Sequence, residues 1–324
     1  MCTAVTYLTK DHYFGRNLDY EHSFEEKIII TARNFPFSFR ELKPVPTHYA
    51  IIGMGVISNN FPLYFDAANE AGLSMAGLLF PYYSYYHPVK DGVDNIASFE
   101  LIPWVLSQCK NISEAKELIK NASICDADFS EELPATPLHW IIADKSGSIT
   151  VESVKEGLFV YDNPTGVLTN SPPFPLQMFN LTNHMGLSPL PLENNFSHTL
   201  TLSAYSRGMG AIGLPGDLSS ASRFVRAAFT RLNSFSEENE QSSVNQFFHI
   251  LQSVYQTRGC VTTEDGVPET TQYCSCINTN KGIYYYTTYD NSCLNAVNMY
   301  SENLDCERLY TFSLIKEWRV NFQS

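Results

Sequence analysis

Long hydrophobic runs are missing from this sequence. Apolar stretches such as Tyr49–Ile57 are far shorter than the roughly 18 residues that a membrane-spanning helix needs. The N-terminal region also lacks the apolar stretch of about 7–15 residues that marks a secretory signal, because polar residues follow from Thr9 onward. We therefore expect a cytoplasmic protein without a membrane anchor.

Basic residues are scarce. The 324 residues include 21 Lys and Arg against 34 Asp and Glu, which gives a formal net charge of −13. A surface this acidic repels phosphate backbones, and no basic amphipathic stretch is available to bind a membrane surface. We therefore expect neither nucleic acid nor a lipid surface as a partner.

Closely spaced metal ligands are also lacking. The eight cysteines are scattered along the chain, and the close pair Cys274 and Cys276 is spaced more tightly than the cysteines of a zinc knuckle. A chain of this length does not need disulfides to hold a core together. We predict reduced thiols and no metal site.

The pattern of apolar residues predicts both strands and helices. Alternating or β-branched runs predict strands over 3–9, 27–33, 49–57, 73–80, 139–144, 149–154, 158–161, 166–169, 282–289 and 295–299. Helical spacing predicts helices over 98–110, 113–121, 222–232 and 243–256, and the polar stretches 170–175 and 234–243 are predicted to be surface loops. Strands and helices without strict βαβ alternation favour an α+β fold, and we expect one domain over residues 1–324.

The second residue, Cys2, carries the strongest chemical signal. Methionine aminopeptidases remove Met1 when the next residue is small, and we expect that removal here. An α-amino group has a reference pKa of about 7.7–8.0 and a thiol one of about 8.5, so proton transfer between them is nearly thermoneutral. Cys2 is therefore predicted to be a nucleophile that carries its own general base, although a Met-Cys start also arises by chance.

Arg16 and Asp19 follow the first predicted strand and lie three residues apart. An arginine beside the sulfur would favour the thiolate, and a carboxylate could hold and orient the amine. The alternative is a surface ion pair, which would contribute little to stability.

Short, individually unusual blocks occur in order over nearly the whole chain. They are 1–4 (MCTA), 13–20 (YFGRNLDY), 139–140 (HW), 166–172 (GVLTNSP), 213–217 (GLPGD), 222–224 (SRF), 246–249 (QFFH) and 282–286 (GIYYY). Together these blocks resemble the choloylglycine hydrolase family, which contains bile salt hydrolases and penicillin V acylases.

The resemblance implies a four-layer αββα sandwich of the N-terminal-nucleophile hydrolase type, usually assembled as a homotetramer and working without a metal or organic cofactor. It implies that Cys2 is the nucleophile, that Arg16 lies near the thiol and that Asp19 holds the amine. Asn170 would offer its side-chain amide to the oxyanion, and Arg223 would complete the polar cluster.

Position 79 departs from the family pattern. Bile salt hydrolases of this family carry Asn where this chain has Leu79, and the penicillin V acylases usually carry Tyr. In the family this residue gives a backbone N–H to the oxyanion hole, which Leu79 can still do. We therefore expect the hydrolytic machinery to be intact and the substrate preference or rate to differ.

A segment rich in tyrosine follows position 79. Aromatic walls suit a steroid or aryl acyl group, so we predict a substrate pocket formed in part by this segment. The residues assigned to it are Leu79, Phe80, Tyr82 and Tyr83. The alternative is an interface or a surface strand with one buried face.

Two histidines and two acidic residues elsewhere are interpreted as structural. His139 and His249 lie in apolar stretches and are predicted to be hydrogen-bonded core histidines rather than bases. Asp144 and Glu152 flank a predicted hairpin turn and are predicted to be solvated.

These observations together predict an amidohydrolase that cleaves a linear amide between an apolar acyl group and a small polar amine. Glycine- or taurine-conjugated bile salts are the first substrate hypothesis, and penicillin V or another N-acyl amine is the second. A third hypothesis, a weakly active relative that binds an amphipathic ligand, depends on Leu79 alone.

Overall fold

The computed structural model describes residues 1–323. The strands in chain order are β1 (Cys2–Leu8), β2 (His12–Tyr20), β3 (Lys27–Thr31), β4 (Ile51–Ser58), β5 (Phe61–Asn69), β6 (Ser74–Leu79), β7 (Asp94–Ala97), β8 (Ala122–Cys125), β9 (Leu138–Asp144), β10 (Gly147–Val154), β11 (Gly157–Asp162), β12 (Val167–Leu168), β13 (Thr270–Asn278), β14 (Ile283–Thr288), β15 (Asn295–Asn298) and β16 (Leu309–Ser313). The helices are α1 (Leu101–Gln108), α2 (Ile112–Lys120), α3 (Phe174–Leu181), α4 (Ser220–Asn233) and α5 (Glu240–Gln252).

Two large antiparallel sheets form the centre of the molecule. One has six strands in the order β12-β1-β2-β13-β14-β15, and the other has eight in the order β11-β10-β9-β6-β5-β4-β3-β16. Helices α4 and α5 contact the six-stranded sheet, and α1 contacts the eight-stranded sheet. The predicted αββα sandwich is therefore confirmed. None of the described helices has the length and apolar character needed to cross a bilayer.

Strands buried on both faces explain why the first half of the chain is so apolar. In β3, Ile28 and Ile30 belong to the core cluster shared by the two sheets, whereas Ile29 belongs to the cluster under α1. Successive side chains of a strand point to opposite faces, so a run of isoleucines supplies both layers at once.

Each predicted strand matches an observed strand to within two residues at either end, but six strands were not predicted, namely β2, β5, β7, β8, β13 and β16. The prediction of a surface loop over 170–175 is wrong, because Asn170 and Phe174 are buried and α3 begins at Phe174. The loop predicted over 234–243 ends early, since α5 starts at Glu240.

The prediction that Asp144 and Glu152 are solvated is also wrong. Asp144 is buried and accepts the backbone N–H of Ile112 at 2.8 Å, at the start of α2. Glu152 is buried and accepts the N–H of Phe174 at 2.8 Å, at the start of α3. Both carboxylates therefore satisfy N–H groups that have no partner within their helix.

The two histidines differ. His139 is buried and its ring nitrogens contact Glu152 Oε1 at 3.1 Å and the carbonyl oxygen of Thr169 at 2.9 Å, as predicted for a core histidine. His249 lies on the exposed face of α5, so its assignment to the core is wrong.

Candidate active site

The register between β1 and β2 sets which side chains share a face. Cys2 lies opposite Leu18, and Ala4 lies opposite Arg16. Directly opposed residues of antiparallel strands point to the same face, so Cys2, Arg16 and Leu18 point the same way and Asp19 points to the other. This alternation separates the thiol side of the site from the side that faces α4 and α5.

Cys2 and Arg16 line a cavity of about 220 Å³ that takes its walls from both sheets. Most of the remaining wall is apolar. It is formed by Leu18, Phe24, Val56, Leu63, Phe65, Leu79, Phe99, Ile102, Phe129, Leu133, Pro134 and Leu138, among others. A cavity of this kind suits the apolar part of a ligand whose reacting bond lies beside Cys2.

The backbone of Cys2 is held by two buried polar side chains. Its N–H donates to Asn170 Oδ1 at 2.8 Å, and its carbonyl oxygen accepts from Arg223 Nη1 at 2.6 Å. Arg223 Nη2 also donates to Asn170 Oδ1 at 2.8 Å. Because Oδ1 faces two donors, the orientation of the Asn170 amide is determined by its partners.

The amide nitrogen of Asn170 connects this cluster to Leu79. Nδ2 donates to the carbonyl oxygen of Leu79 at 2.7 Å, which uses one of its two hydrogens. The N–H of Phe80 donates to the carbonyl oxygen of Pro137 at 2.8 Å, while Leu79 lies opposite Leu138. Hydrogen-bonded and non-hydrogen-bonded pairs alternate along such a ladder, so the N–H of Leu79 points away from β9.

Arg16 is buried between the sheets. Its Nη1 donates to the carbonyl oxygens of Gly77 at 2.6 Å and Phe65 at 3.1 Å. Burial disfavours the charge of the guanidinium, but the nearby Cys2, Tyr273 and Asp66 outweigh that effect and hold the pKa of Arg16 above its ordinary value. The cavity therefore has a permanent positive charge in its wall.

Asp19 lies on the other face of β2 and is fully buried. Thr271 donates its hydroxyl to Asp19 Oδ1 at 2.6 Å, whereas Oδ2 has no partner among the described residues. Burial raises the pKa of Asp19, and Arg223 and the N-terminal ammonium oppose that rise. The N-terminal ammonium itself contacts Glu269 and the carbonyl oxygen of Asp19.

The structure brings together most of the predicted site residues. Asn170 and Arg223 bind the backbone of Cys2, and Arg16 and Leu79 line the cavity with Cys2. Asp19 lies on the other face of β2, near the charge of Arg223. Phe80, Tyr82 and Tyr83 are not among the residues that line this cavity, so their role in substrate binding stays a prediction. Phe80 is buried against His139 with a ring-centre distance of 4.3 Å, and Tyr82 is 95% exposed.

Other aromatic residues form the cavity wall instead. Phe24, Phe65, Phe99 and Phe129 line it, and none of them was predicted. They come from separate segments, so no spacing in the sequence connects them. The helical spacing predicted over 98–110 includes Phe99 and Ile102, which both line the cavity, so it is a local signal for this part of the wall.

The fold and the polar cluster at the N-terminus of β1 define an amide hydrolase of the αββα class, and comparison with known families agrees. The model described as linear amide C–N hydrolases, choloylglycine hydrolase family, matches residues 2–312. The chain therefore belongs to the choloylglycine hydrolase family and is a hydrolase of linear amide C–N bonds.

Similar proteins cover almost the whole chain. A bile salt hydrolase/transferase from Lactiplantibacillus plantarum is 52% identical over 317 residues, which is 98% of each chain, and one from Clostridium perfringens is 42% identical over 99% of each. The crystal structure of the C2A variant of the conjugated bile acid hydrolase from Clostridium perfringens has a TM-score of 0.91 at 42% identity, covering 99% of each chain. A penicillin V acylase from Agrobacterium tumefaciens shares the fold, with a TM-score of 0.75 at 20% identity, covering 96% of this chain and 91% of its own.

Proposed function

We propose that this enzyme hydrolyses the amide bond of glycine- or taurine-conjugated bile salts and that Cys2 is its nucleophile. The observation that carries the proposal is the position of Cys2, at the end of an apolar cavity with Arg16 in the same wall. The names of relatives that are 52% and 42% identical over nearly the whole chain support the choice of substrate.

The reaction requires that Met1 be removed, so that the nitrogen of Cys2 becomes a free amine. The amine accepts the thiol proton as Sγ attacks the amide carbon of the substrate. It then gives that proton to the nitrogen of the departing glycine or taurine as the C–N bond breaks. Water then attacks the acyl carbon of the remaining thioester and gives a proton to the amine. The amine passes this proton to Sγ of Cys2 as the C–S bond breaks, which releases the free acid.

Asp19 is proposed to hold this amine. Its Oδ2 is buried and has no partner within residues 1–323, and the N-terminal ammonium lies near enough to influence its pKa. A buried carboxylate oxygen without a donor is costly unless a charged donor reaches it. The ammonium form of the Cys2 amine would supply that donor when it holds the proton.

The negative charge that develops on the substrate oxygen needs fixed donors. We propose the second N–H of Asn170 Nδ2 and the N–H of Leu79, because the first has a hydrogen to spare and the second points away from β9. One such donor contributes about 3–4 kcal/mol to transition-state stabilisation. Arg223 fixes the Asn170 amide that carries the first donor.

Penicillin V, or another N-acyl amine, is the second candidate substrate. The apolar side chain of Leu79 lies in the cavity wall beside Cys2, where an aryl acyl group would contact it. An amine in place of water would convert the same thioester chemistry into acyl transfer, which matches the second activity in the relatives' names.

A paired assay tests the proposal. After intact mass has shown that Met1 is absent, glycine and taurine release from conjugated bile salts is compared with release of the penicillin V nucleus. We expect faster bile-salt cleavage. Faster penicillin V cleavage would transfer the assignment to the second candidate, and no turnover of either would favour a weakly active binding protein.

A further inference from the structure

One wall of the cavity is made by a connection rather than by a strand or helix. Residues 126–137, here called the strap, join β8 to β9. The strap contributes Phe129, Leu133, Pro134 and Thr136 to the lining. Because the wall on this side is a loop, the size of the cavity depends on what holds the strap in place.

The end of the strap next to β9 is attached by Tyr86. The Tyr86 hydroxyl donates to the carbonyl oxygen of Thr136 at 2.6 Å and accepts the N–H of Leu138 at 2.8 Å. The middle of the strap is bonded mainly to itself, since the N–H of Phe129 donates to the carbonyl oxygen of Leu133 at 3.0 Å. These bonds shape the strap without attaching Phe129 to the rest of the cavity wall.

Arg40 attaches that middle part. Its guanidinium lies 4.9 Å from the ring centre of Phe99 and 5.7 Å from that of Phe129, and its Nη2 donates to the carbonyl oxygen of Phe129 at 2.5 Å. The two rings meet edge to face with their centres 5.1 Å apart. The Arg40 cation over both rings, together with its bond to the backbone of Phe129, joins the strap to the turn that precedes α1.

The base of Arg40 is also fixed. Its backbone N–H donates to Glu100 Oε1 at 3.0 Å, and Glu100 is buried next to Phe99. Among the described residues no carboxylate lies within ion-pair distance of the Arg40 guanidinium. Its head is therefore committed to the aromatic pair and to the strap backbone.

We propose that Arg40 is a positioning residue that holds the strap closed against Phe99 and thereby sets the size of acyl group that the cavity binds. The link to substrate rests on the proposed function, whereas the closure of the strap does not. With Arg40 in place, Phe129 completes the wall against a large, rigid acyl group. Without it the strap opens, and a large acyl group loses that contact while Cys2 and its partners are unchanged.

Limited proteolysis tests the closure without any assumption about activity. Glu131 and Glu132 are exposed in the strap, so a glutamate-specific protease reports its opening when the fragments are identified by mass. We expect Arg40→Ala to speed cleavage at these positions at least fivefold and Arg40→Lys, which keeps a cation near the rings, to restore most of the protection. Arg258→Ala is the matched control, because Arg258 stacks on Tyr289 at 4.6 Å away from the cavity.

Phe129→Leu removes the ring contacts with Arg40 and Phe99 but keeps the backbone bond to Arg40, and it is expected to speed cleavage in the same direction as Arg40→Ala. Phe129→Leu replaces Arg40→Ala in the proteolysis test if thermal melting shows that Arg40→Ala folds poorly. Equal cleavage rates in both folded variants and in Arg258→Ala would overturn the proposal.

Steady-state kinetics test the consequence for substrates. For a fused-ring acyl amide of glycine, we expect Arg40→Ala to raise KM about fivefold or more and to change kcat less than twofold. For a short linear acyl amide of glycine, which does not reach the strap, neither constant should change. An equal loss of kcat on both substrates would contradict a positioning role through the cavity wall.

The two proposals can fail separately. A wild-type enzyme that turns over neither acyl amide would contradict the proposed function, while proteolysis would still decide whether Arg40 closes the strap. An active enzyme whose Arg40 variants keep the same KM for the fused-ring substrate would refute the specificity role alone.

Discussion

At position 2 the backbone is held by polar partners, whereas the side chain faces the cavity. Asn170 and Arg223 bind the N–H and the carbonyl oxygen of Cys2, and the side chain lines the cavity. This division lets the polar cluster hold the residue without occupying the sulfur. We propose that the division is what makes the thiol available to a substrate.

The nucleophile assignment predicts the effect of Cys2→Ala. Amine release should fall to background, because Cys2 supplies the one thiol among the described lining residues, and the thermal midpoint should change little. Cys260→Ala is the matched control, since Cys260 is an exposed free cysteine outside the cavity lining. Turnover that survives in Cys2→Ala would contradict the assignment.

Leu79 is predicted to influence selectivity through its side chain. Leu79→Asn places an amide in the cavity wall next to Cys2 and should raise bile-salt cleavage relative to penicillin V cleavage, measured as the ratio of kcat/KM values. Leu79→Met keeps an apolar chain of similar volume and should leave the ratio unchanged. The same ratio in all three proteins would mean that only the backbone of residue 79 matters.

At the scale of elements, one buried carboxylate joins the two sheets. Asp66 of β5 accepts the hydroxyls of Tyr273 at 2.6 Å and Tyr284 at 2.7 Å, which lie on β13 and β14. All three side chains are buried. Burial raises the pKa of Asp66, and Arg16 and these hydroxyls oppose the rise.

Asp66→Ala should therefore destabilise the fold. It removes the acceptor of the buried hydroxyls of Tyr273, Tyr284 and Ser275, and each hydroxyl left without an acceptor costs roughly 1–3 kcal/mol. We expect the midpoint of denaturant unfolding to fall by an amount that corresponds to about 3 kcal/mol or more. Asp162→Ala, which removes only an exposed partner of Lys116, should shift the midpoint very little; equal shifts would contradict this account.

At the scale of the whole molecule, stability should depend on pH through His12. Burial lowers the pKa of His12 to about 4 from 6.5, and its ring nitrogens contact the hydroxyls of Thr6 and Thr279. Between pH 6.5 and pH 4, His12 binds a proton in the unfolded chain but not in the folded chain. The contribution of neutral His12 to the free energy of unfolding is therefore present above pH 6.5 and is lost as the pH falls towards 4.

His12→Gln should remove this part of the pH dependence. The pKa difference of His12 corresponds to about 3 kcal/mol. The loss in the free energy of unfolding between pH 7 and pH 4 should therefore be about 3 kcal/mol smaller in the variant than in the wild type. His249→Gln, at an exposed position on α5, should follow the wild type. A variant as acid-sensitive as the wild type would show that other groups dominate.

The assembly and the one-domain organisation remain predictions. Met185, Phe196 and Tyr205 are more than 80% exposed in the single chain, on the segment between α3 and α4. Exposed apolar side chains at this density are typical of an interface. We expect light scattering to give the mass of a homotetramer, and a monomer at working concentration would contradict this.

The sequence by itself determined the class of enzyme, a hydrolase of linear amide bonds, and the α+β character of the fold. A thiol at position 2, the Arg16 and Asp19 pair and the blocks around Asn170 and Arg223 were readable because each lies in a short, unusual stretch. The α+β class followed from strands and helices without strict alternation, whereas the four-layer sandwich was implied by the resemblance to the choloylglycine hydrolase family.

Only the tertiary structure decided where the cavity wall lies and which polar residues are buried. Phe24, Phe65, Phe99 and Phe129 meet because distant segments pair and pack, and no local spacing encodes that meeting. The sequence around Asp144 and Glu152 predicts solvated turn residues, but in the folded chain they accept N–H groups at the starts of α2 and α3. Local patterns report the faces of one element, whereas a site is formed by contacts between elements far apart in the chain.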